Sequence, residues 1–217
     1  MIHCAAGDNG TITDRIKIET LHSKIRKCRR CLVDGFPITP PPLVLGNAPA
    51  PFMLVGQAPS ISDSRSERMY TGPAGRKLLT WLVEAGFKSE DFGRDIYFTA
   101  LTKCFPGRLP GKSTDRAPSA LERLNCSGWL QQQIAVVSPA VIIPFGKMAI
   151  DVFIPTAPLN QVIGQQYNIN GTVYLPLPHS SGASTWLNQS EHRELLAEAI
   201  AKLRTLRINM CTQGWNE

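Results

Sequence analysis

Apolar residues recur along the chain with two different spacings, which predict alternating strands and helices. Four short, nearly continuous apolar runs are typical of strands that are buried on both faces. They are FMLVG (52–56), DIYFTALTKC (95–104), AVIIPFG (140–146) and YLPLPHS (174–180). Apolar residues spaced three or four apart predict helices over 14–28, 74–87, 118–137 and 191–206.

This alternation predicts an α/β fold: a three-layer α/β/α sandwich around a central, mainly parallel, four-stranded sheet. No repeat or domain boundary interrupts the pattern, so residues 1–217 are expected to form one domain. Ligands of such sheets bind at the carboxyl ends of the strands. The functional face is therefore predicted in the loops that follow Gly56, Cys104, Gly146 and Pro178.

Composition adds an expectation about the partner. The formal net charge of +6 suggests a polyanion such as nucleic acid. No apolar run reaches the roughly 18 residues of a membrane span, and the N-terminus lacks the pattern of a secretory signal. A cytoplasmic, nucleoid-associated location is therefore expected. Thiols stay reduced there, so the six cysteines are better explained as metal ligands, catalytic groups or core residues than as disulfides.

A Cys-x-x-Cys pair, Cys28 and Cys31, lies in the positively charged stretch KIRKCRRCLV (24–33). Two thiols at this spacing can bind a metal ion, form a redox disulfide or begin a cluster site. Cys104 ends the second predicted strand, and Cys126 lies in the third predicted helix. Four thiolates suit zinc or an iron–sulfur cluster, although zinc ribbons usually use two Cys-x-x-Cys pairs. The two single cysteines can equally be buried core thiols.

Four segments together resemble the uracil-DNA glycosylase superfamily, in its iron–sulfur branch of families 4 and 5. VGQAPSISDSRSERMYTGPAGRKLLTWL (55–82) resembles the first motif, in which a strand, a Gly-x-x-Pro loop and an aromatic residue precede a helix. FTALTKCFPG (98–107) and CSGWLQQQIAVVSPAVIIPFGKMAI (126–150) resemble the segments that carry two cysteines. LPLPHSSGASTWLN (175–188) resembles the histidine motif. The order and spacing agree from Cys28 to Asn188.

The resemblance implies roles for individual residues. Tyr70 would stack on a base flipped out of DNA, and His179 would donate a hydrogen bond to the departing base. A structural 4Fe–4S cluster would be held by Cys28, Cys31, Cys104 and Cys126. The first loop would line the pocket with Gly56, Gln57, Ala58, Pro59 and Ser60. The loop after the histidine offers small and hydroxyl-bearing residues to the DNA backbone, namely Ser181, Gly182 and Ser184.

Two residues depart from the family pattern. Gln57 stands where family 4 usually has an acidic residue, and Ala100 stands where it has an asparagine that reads uracil. Glutamine carries no negative charge and alanine cannot discriminate a base edge, so neither the acidic role nor uracil specificity is secured. Asp63 or Asp115 is a candidate for the missing carboxylate.

The loop between Cys104 and Cys126 is rich in positive charge. Its Arg108, Lys112 and Arg116 are predicted either to track DNA phosphates or simply to solvate the loop.

The function expected from these features is that of a monomeric, monofunctional DNA glycosylase that removes uracil or another deaminated base in base excision repair. One alternative is a relative that binds nucleic acid but has lost the chemistry. Another is a four-cysteine zinc protein with an unrelated role.

Overall fold

A five-stranded sheet lies at the centre of the protein. The computed structural model describes residues 11–112, 114–155, 157–181 and 185–213. The strands are β1 Phe52–Gly56, β2 Ile96–Ala100, β3 Val141–Pro144, β4 Tyr167–Ile169 and β5 Thr172–Tyr174. Their order in the sheet is β2-β1-β3-β5-β4, and every pairing is parallel except that of β4 with β5.

Eight α-helices are found in the described part of the chain. They are α1 Ile12–Arg26, α2 Arg30–Val33, α3 Ile61–Ser66, α4 Pro73–Glu84, α5 Ala120–Val137, α6 Lys147–Phe153, α7 Leu159–Val162 and α8 Ser190–Gln213. Short 3₁₀ helices span Ser89–Asp91 and Thr185–Asn188. The four helices expected from periodicity are α1, α4, α5 and α8. None of the described helices combines the length and the apolar character needed to cross a membrane.

The α/β fold with a mainly parallel sheet is confirmed, but the strand count of four was too low. The predicted fourth strand, 174–180, overlaps β5 only at Tyr174. The chain nevertheless continues beside β3, because the N–H groups of Leu175 and Leu177 donate to carbonyls of β3. Pro176 and Pro178 alternate with these residues and have no N–H, so the regular ladder ends early. The β4–β5 hairpin escaped prediction because its strands are three residues long and incompletely buried.

Each face of the sheet is covered by helices, because successive residues of a strand point to opposite sides. Met53 and Val55 of β1 pack in the layer of α1 and α5. Phe52 and Leu54 pack in the layer of α4 and α8. All four of these side chains are nearly inaccessible to solvent.

The parallel register brings the carboxyl ends of the central strands to one edge. Gly56 of β1 is opposite Ala100 of β2, and Val55 is opposite Pro144 of β3. The next bridge along joins Phe145 to Leu177. The loops that follow these strands therefore share one edge, which is the functional face that the sequence predicts.

Candidate active site at the carboxyl edge of the sheet

His179 follows the extended segment beside β3 and is half-buried at this edge. The backbone N–H of Ser181 donates to its Nδ1 at 3.2 Å, and the Ser181 hydroxyl lies 2.9 Å from the same atom. An Nδ1 that accepts an N–H has no proton of its own, so the neutral ring carries its proton on Nε2. Burial lowers the pKa of His179, which favours the neutral form. His179 is thus a neutral hydrogen-bond donor through Nε2.

An aromatic wall connects His179 to Tyr70. Phe145 stacks on the His179 ring with centroids 5.1 Å apart and meets the Tyr70 ring edge-on at 6.4 Å. Tyr70 also packs against Phe98 at 5.2 Å. The Tyr70 hydroxyl donates to the Thr99 carbonyl at 3.2 Å, and burial raises the pKa of this phenol. The ring is therefore neutral and fixed in place, as a stacking surface requires.

Two glycines leave room for Tyr70, which itself has a left-handed backbone with φ of 61°. A Cβ on Gly75 would lie 2.4 Å from the Tyr70 carbonyl carbon, and one on Gly56 would lie 2.8 Å from its hydroxyl oxygen. Side chains at these positions would displace the ring. Gly56 was predicted to line the pocket, and here it also determines where the tyrosine lies.

Asp63 organises the first loop through four hydrogen bonds. Its Oδ2 accepts the N–H and hydroxyl of Ser60 at 2.9 and 2.8 Å, which caps α3. Its Oδ1 accepts the N–H and hydroxyl of Thr71 at 2.7 and 2.9 Å. Thr71 follows Tyr70, so Asp63 fixes both ends of the segment that delivers the aromatic ring. These contacts favour a positioning role for Asp63 over the catalytic role predicted from the sequence, since both carboxylate oxygens already accept hydrogen bonds.

Asp115, the other candidate carboxylate, caps α3 from a different loop. Its Oδ2 accepts the Ile61 N–H at 3.1 Å. This places Asp115 beside the first loop but engages it in helix capping.

Gln57, Ala58 and Pro59 lie in the loop between β1 and α3, as predicted. Gln57 and Ala58 are half-buried, and Pro59 is buried. Ala100 is 1% exposed and packs in the core on the Tyr70 side of the sheet. Its methyl group offers a base no hydrogen bond, so any polar recognition at this position must come from backbone groups.

A chain of buried hydrogen bonds supports β2 from the opposite face. The Thr99 hydroxyl donates to Gln133 Oε1 at 3.0 Å, and Gln133 Nε2 donates to the Tyr97 hydroxyl at 2.7 Å. The Tyr97 hydroxyl in turn lies 2.7 Å from Nε2 of His22 and donates to it. Because the Thr99 carbonyl accepts Tyr70, one strand joins this buried network to the aromatic wall.

His22 is neutral in this network. Burial and, to a smaller extent, the positive charge of Arg26 together lower its pKa to about 4. A protonated His22 would also leave the Tyr97 hydroxyl proton without its acceptor.

All four predicted ligand cysteines line one cavity. They are the free thiols of Cys28, Cys31, Cys104 and Cys126. Burial raises the pKa of Cys104 to about 12, and the neighbouring thiols of Cys126, Cys31 and Cys28 act in the same direction. Cys211, by contrast, is disulfide-bonded, so the expectation that thiols stay reduced is wrong for it.

The environment of the four thiols fits an iron–sulfur cluster. Trp129 lines the cavity, and its buried Nε1–H has no hydrogen-bond partner in the described part of the chain. The Asn125 amide lies 3.8 Å from the Cys31 sulfur. The buried ammonium of Lys103 also lines the cavity and would offset the charge of thiolates. Hydrogen bonds to ligand sulfurs, such as the contact of Asn125 with Cys31, are among the features by which proteins tune cluster sites.

A single metal ion fits less well. Among the described residues, no three Cys, His, Asp or Glu side chains are close enough to hold one ion. Thiolates around one zinc lie within about 4 Å of each other, since each Zn–S bond is about 2.3 Å. A cluster holds its cysteines farther apart because iron and sulfide lie between them.

The basic loop after Cys104 is largely occupied with its own ion pairs. Arg116 makes two hydrogen bonds to the buried carboxylate of Glu122, at 2.6 and 2.7 Å. Arg108 lies 3.5 Å from Asp115. Lys112 is exposed and has no ion pair in the described part of the chain. Of the three cations that the sequence predicts to contact DNA from this loop, Lys112 alone has no ion pair with a described residue.

Ser181 belongs to the site through its contacts with His179, whereas Gly182 and Ser184 lie outside the described residues. The residues that sequence reasoning missed are Phe145, Thr99 and Gln133. Phe145 could have been predicted from the sequence, because it is an aromatic residue between a buried strand and a glycine at the expected functional edge. Gln133 had none, because a glutamine in an apolar helix shows no partner until the sheet is assembled.

The sequence comparisons agree with this geometry. The model of the uracil DNA glycosylase superfamily matches residues 43–204, and the chain belongs to that superfamily. The type-4 uracil-DNA glycosylase of Saccharolobus solfataricus is 32% identical over 132 residues, which are 60% of this chain and 56% of that protein. The type-4 enzyme of Thermotoga maritima is 26% identical over 194 residues, 87% of this chain and 93% of that protein.

A type-5 uracil-DNA glycosylase of Pyrobaculum aerophilum is 30% identical over 126 residues, 53% of this chain and 51% of that protein. The chain thus spans about half the length of two of these three relatives. The resemblance to the branch of families 4 and 5 is confirmed.

Proposed function

We propose that the protein is a monofunctional DNA glycosylase that hydrolyses the N-glycosidic bond of uracil, or of another deaminated base, flipped out of DNA. This reaction would begin base excision repair, with the protein acting as a monomer. Membership of the superfamily and the names of the relatives support the class of enzyme. The observation that carries the proposal is the neutral His179, which keeps its ring proton on Nε2 beside an aromatic wall.

Breaking the bond leaves positive charge on the sugar and negative charge on the departing base. A donor placed at the base oxygen binds the transition state more tightly than the ground state, because the oxygen becomes more negative as the bond breaks. The Nε2–H of His179 can act in this way without charging the ring. Ser181 holds the ring in the required tautomer.

Tyr70 supplies the stacking surface for the flipped base, and Phe145 holds it beside His179. Gln57 and the neighbouring loop line the pocket, and Asp63 fixes their conformation. Hydrolysis without a lyase step needs no amine nucleophile, and no lysine is assigned to the pocket.

A structural 4Fe–4S cluster on Cys28, Cys31, Cys104 and Cys126 is part of the proposal. The shared cavity and the unpartnered Trp129 N–H support it. When bound, the group would cross-link three segments that are distant in sequence. Iron and sulfide analysis of the purified protein distinguishes it from the zinc alternative.

The proposal is tested by base release from uracil-containing DNA under single-turnover conditions. Loss of one preorganised donor typically lowers the rate by ~10²–10³, so we expect that reduction for His179→Ala. His179→Gln keeps a side-chain N–H and should retain more activity than the alanine variant. Both variants should keep the parent's melting temperature and iron content.

A folded His179→Ala protein that releases the base within about twofold of the parent rate would remove His179 from the chemistry. Because Gln57 carries no negative charge and the Ala100 side chain cannot hydrogen-bond a base, a second candidate is a relative that binds nucleic acid without cleaving it. A parent protein that releases neither uracil, hypoxanthine nor xanthine from single-stranded or duplex DNA would favour that candidate.

A further inference from the structure

The segment 24–30, which contains Cys28 and ends just before Cys31, carries five exposed cations. We call it the basic segment, and its cations are Lys24, Arg26, Lys27, Arg29 and Arg30. None of the five forms an ion pair with a described residue. Their charge is therefore free for a ligand, unlike that of Lys17, Lys88 and Lys202, which pair with described carboxylates.

The basic segment lies at the same edge of the sheet as the aromatic wall. Helix α1 ends at Arg26, and Cys28 lies two residues later in the cavity of the four thiols. That cavity also contains Cys104, four residues beyond the end of β2, and Cys126, in the second turn of α5. Because β2 ends at this edge, the end of α1 lies there too.

The two arginines of the segment are held in place by the protein. Arg29 donates to the carbonyls of Arg26 and Cys28, both at 2.9 Å. Arg30 lies over the Trp129 ring, 5.1 Å from its centroid, and donates to the Asn125 carbonyl at 3.3 Å. A guanidinium has five donors, so each arginine keeps several for a ligand. Prior ordering lowers the entropic cost of binding.

A helix end offers a competing explanation for part of this charge. Cations in the last turn of α1, Lys24 and Arg26, interact favourably with the helix dipole. That interaction is weak, is screened by salt and does not extend beyond the last turn. It leaves Lys27, Arg29 and Arg30 unexplained.

We propose that the basic segment binds the phosphodiester backbone of DNA on the cysteine side of the site. Closely spaced cations with free donors suit phosphates and carry no base specificity. The inference rests on the proposed function in naming DNA as the polyanion. The cysteines that line the cavity would then also hold a DNA-binding surface in position.

The test uses the full-length protein, purified with the proposed cluster bound. It measures the affinity of this protein for a fluorescent DNA duplex without uracil, at several salt concentrations. The variant combines Lys24→Gln, Arg26→Gln and Lys27→Gln, whose side chains form no hydrogen bond within the described structure. The matched control combines Lys17→Gln, Lys88→Gln and Lys202→Gln, whose lysines pair with Asp14, Glu90 and Glu198. Both lower the formal net charge from +6 by three, to +3.

Each phosphate contact contributes about 0.9 to the slope of log affinity against log salt. We therefore expect the slope of the triple variant to shrink by about 2 to 3 and its affinity to fall by at least about tenfold at low salt. The slope of the control should decrease by less than a third of the decrease expected for the triple variant. The charge-preserving variant with Lys24→Arg, Arg26→Lys and Lys27→Arg should keep the parent's slope.

Equal slopes for the triple variant and the control would overturn the proposal and make the segment a solvated surface. If the triple variant melts below the assay temperature, Lys27→Gln alone decides, with an expected slope loss of about 0.9. The probe contains no damaged base. A protein that binds this probe through the segment but releases no uracil supports this inference and contradicts the proposed function. A protein that releases uracil but shows equal salt slopes for the triple variant and the control supports the proposed function and contradicts this inference.

Discussion

Two basic regions flank the candidate site, and they use their charge differently. The basic segment 24–30 presents cations that form no ion pair with the described residues. The loop 108–116 is also basic, with three cations, but Arg116 is bound to Glu122 and Arg108 lies near Asp115. The first region is suited to binding a polyanion, and the second mainly stabilises the fold. The sequence shows that both regions are basic, but it does not show which of their charges are paired.

Burial explains the difference. Glu122 is 1% exposed at the first turn of α5, where it also accepts the N–H of Ser119. A buried carboxylate needs a compensating cation, and Arg116 meets that need from the loop. The acidic residues close to the basic segment do not pair with its cations, and Asp34 instead accepts a hydrogen bond from Asn125.

Loss of a cysteine should have the largest effect on this comparison. Cys28→Ser would remove one of the four proposed cluster ligands, which is also the proposed anchor of the basic segment. We expect lower solubility, loss of iron and a melting temperature reduced by about 10 °C, as a loss of several kcal/mol does in a domain of this size. DNA affinity should fall as well, because the segment is no longer fixed. Full iron content and unchanged melting would show that Cys28 is not a ligand.

Arg116→Gln should have the next largest effect, and it should act on stability rather than on DNA. The substitution leaves Glu122 buried without its cation, which costs about 3 kcal/mol. Chemical denaturation measures that loss. The slope of DNA affinity against salt should change by less than about 0.5, since the Arg116 charge is already used. A slope loss near 0.9 with unchanged stability would reverse the assignment of the two regions.

The smallest expected effect is on the pH dependence of stability. It arises from the buried His22, whose pKa depends partly on Arg26 of the basic segment. His22 has an ordinary pKa near 6.5 and a folded value of about 4, lowered by burial and by Arg26. The unfolded chain therefore binds a proton more readily, so stability is intact above pH 6.5 and declines as the pH falls toward 4. The loss is at most about 3 kcal/mol at the shift cited.

His22→Gln keeps an acceptor for Tyr97 but cannot titrate in this range, so its stability should be flatter between pH 6.5 and 4. Melting temperature measured across that range checks the expectation. Equal pH dependence of parent and variant would assign the acid sensitivity to other groups.

Much of the fold followed from the sequence because buried strands and amphipathic helices have different apolar periods. The runs at 52–56, 95–104 and 140–146 each contain a strand of the sheet. The fourth run was misassigned in its details because its prolines cannot donate to a regular ladder. The hairpin of β4 and β5 is short and incompletely buried, so it leaves little periodic signal.

The sequence by itself determined the elements of the site. It placed His179 after an extended run, Tyr70 before a helix and four cysteines in three separate segments, because these positions depend on local pattern and motif order. Only the tertiary structure decided which groups meet. It placed Phe145 between His179 and Tyr70 and paired Arg116 with Glu122. It also placed Asp63 where its carboxylate accepts hydrogen bonds from both ends of the first loop. Hydrogen bonds and ion pairs between residues far apart in sequence depend on packing of the whole sheet, and no local pattern encodes them.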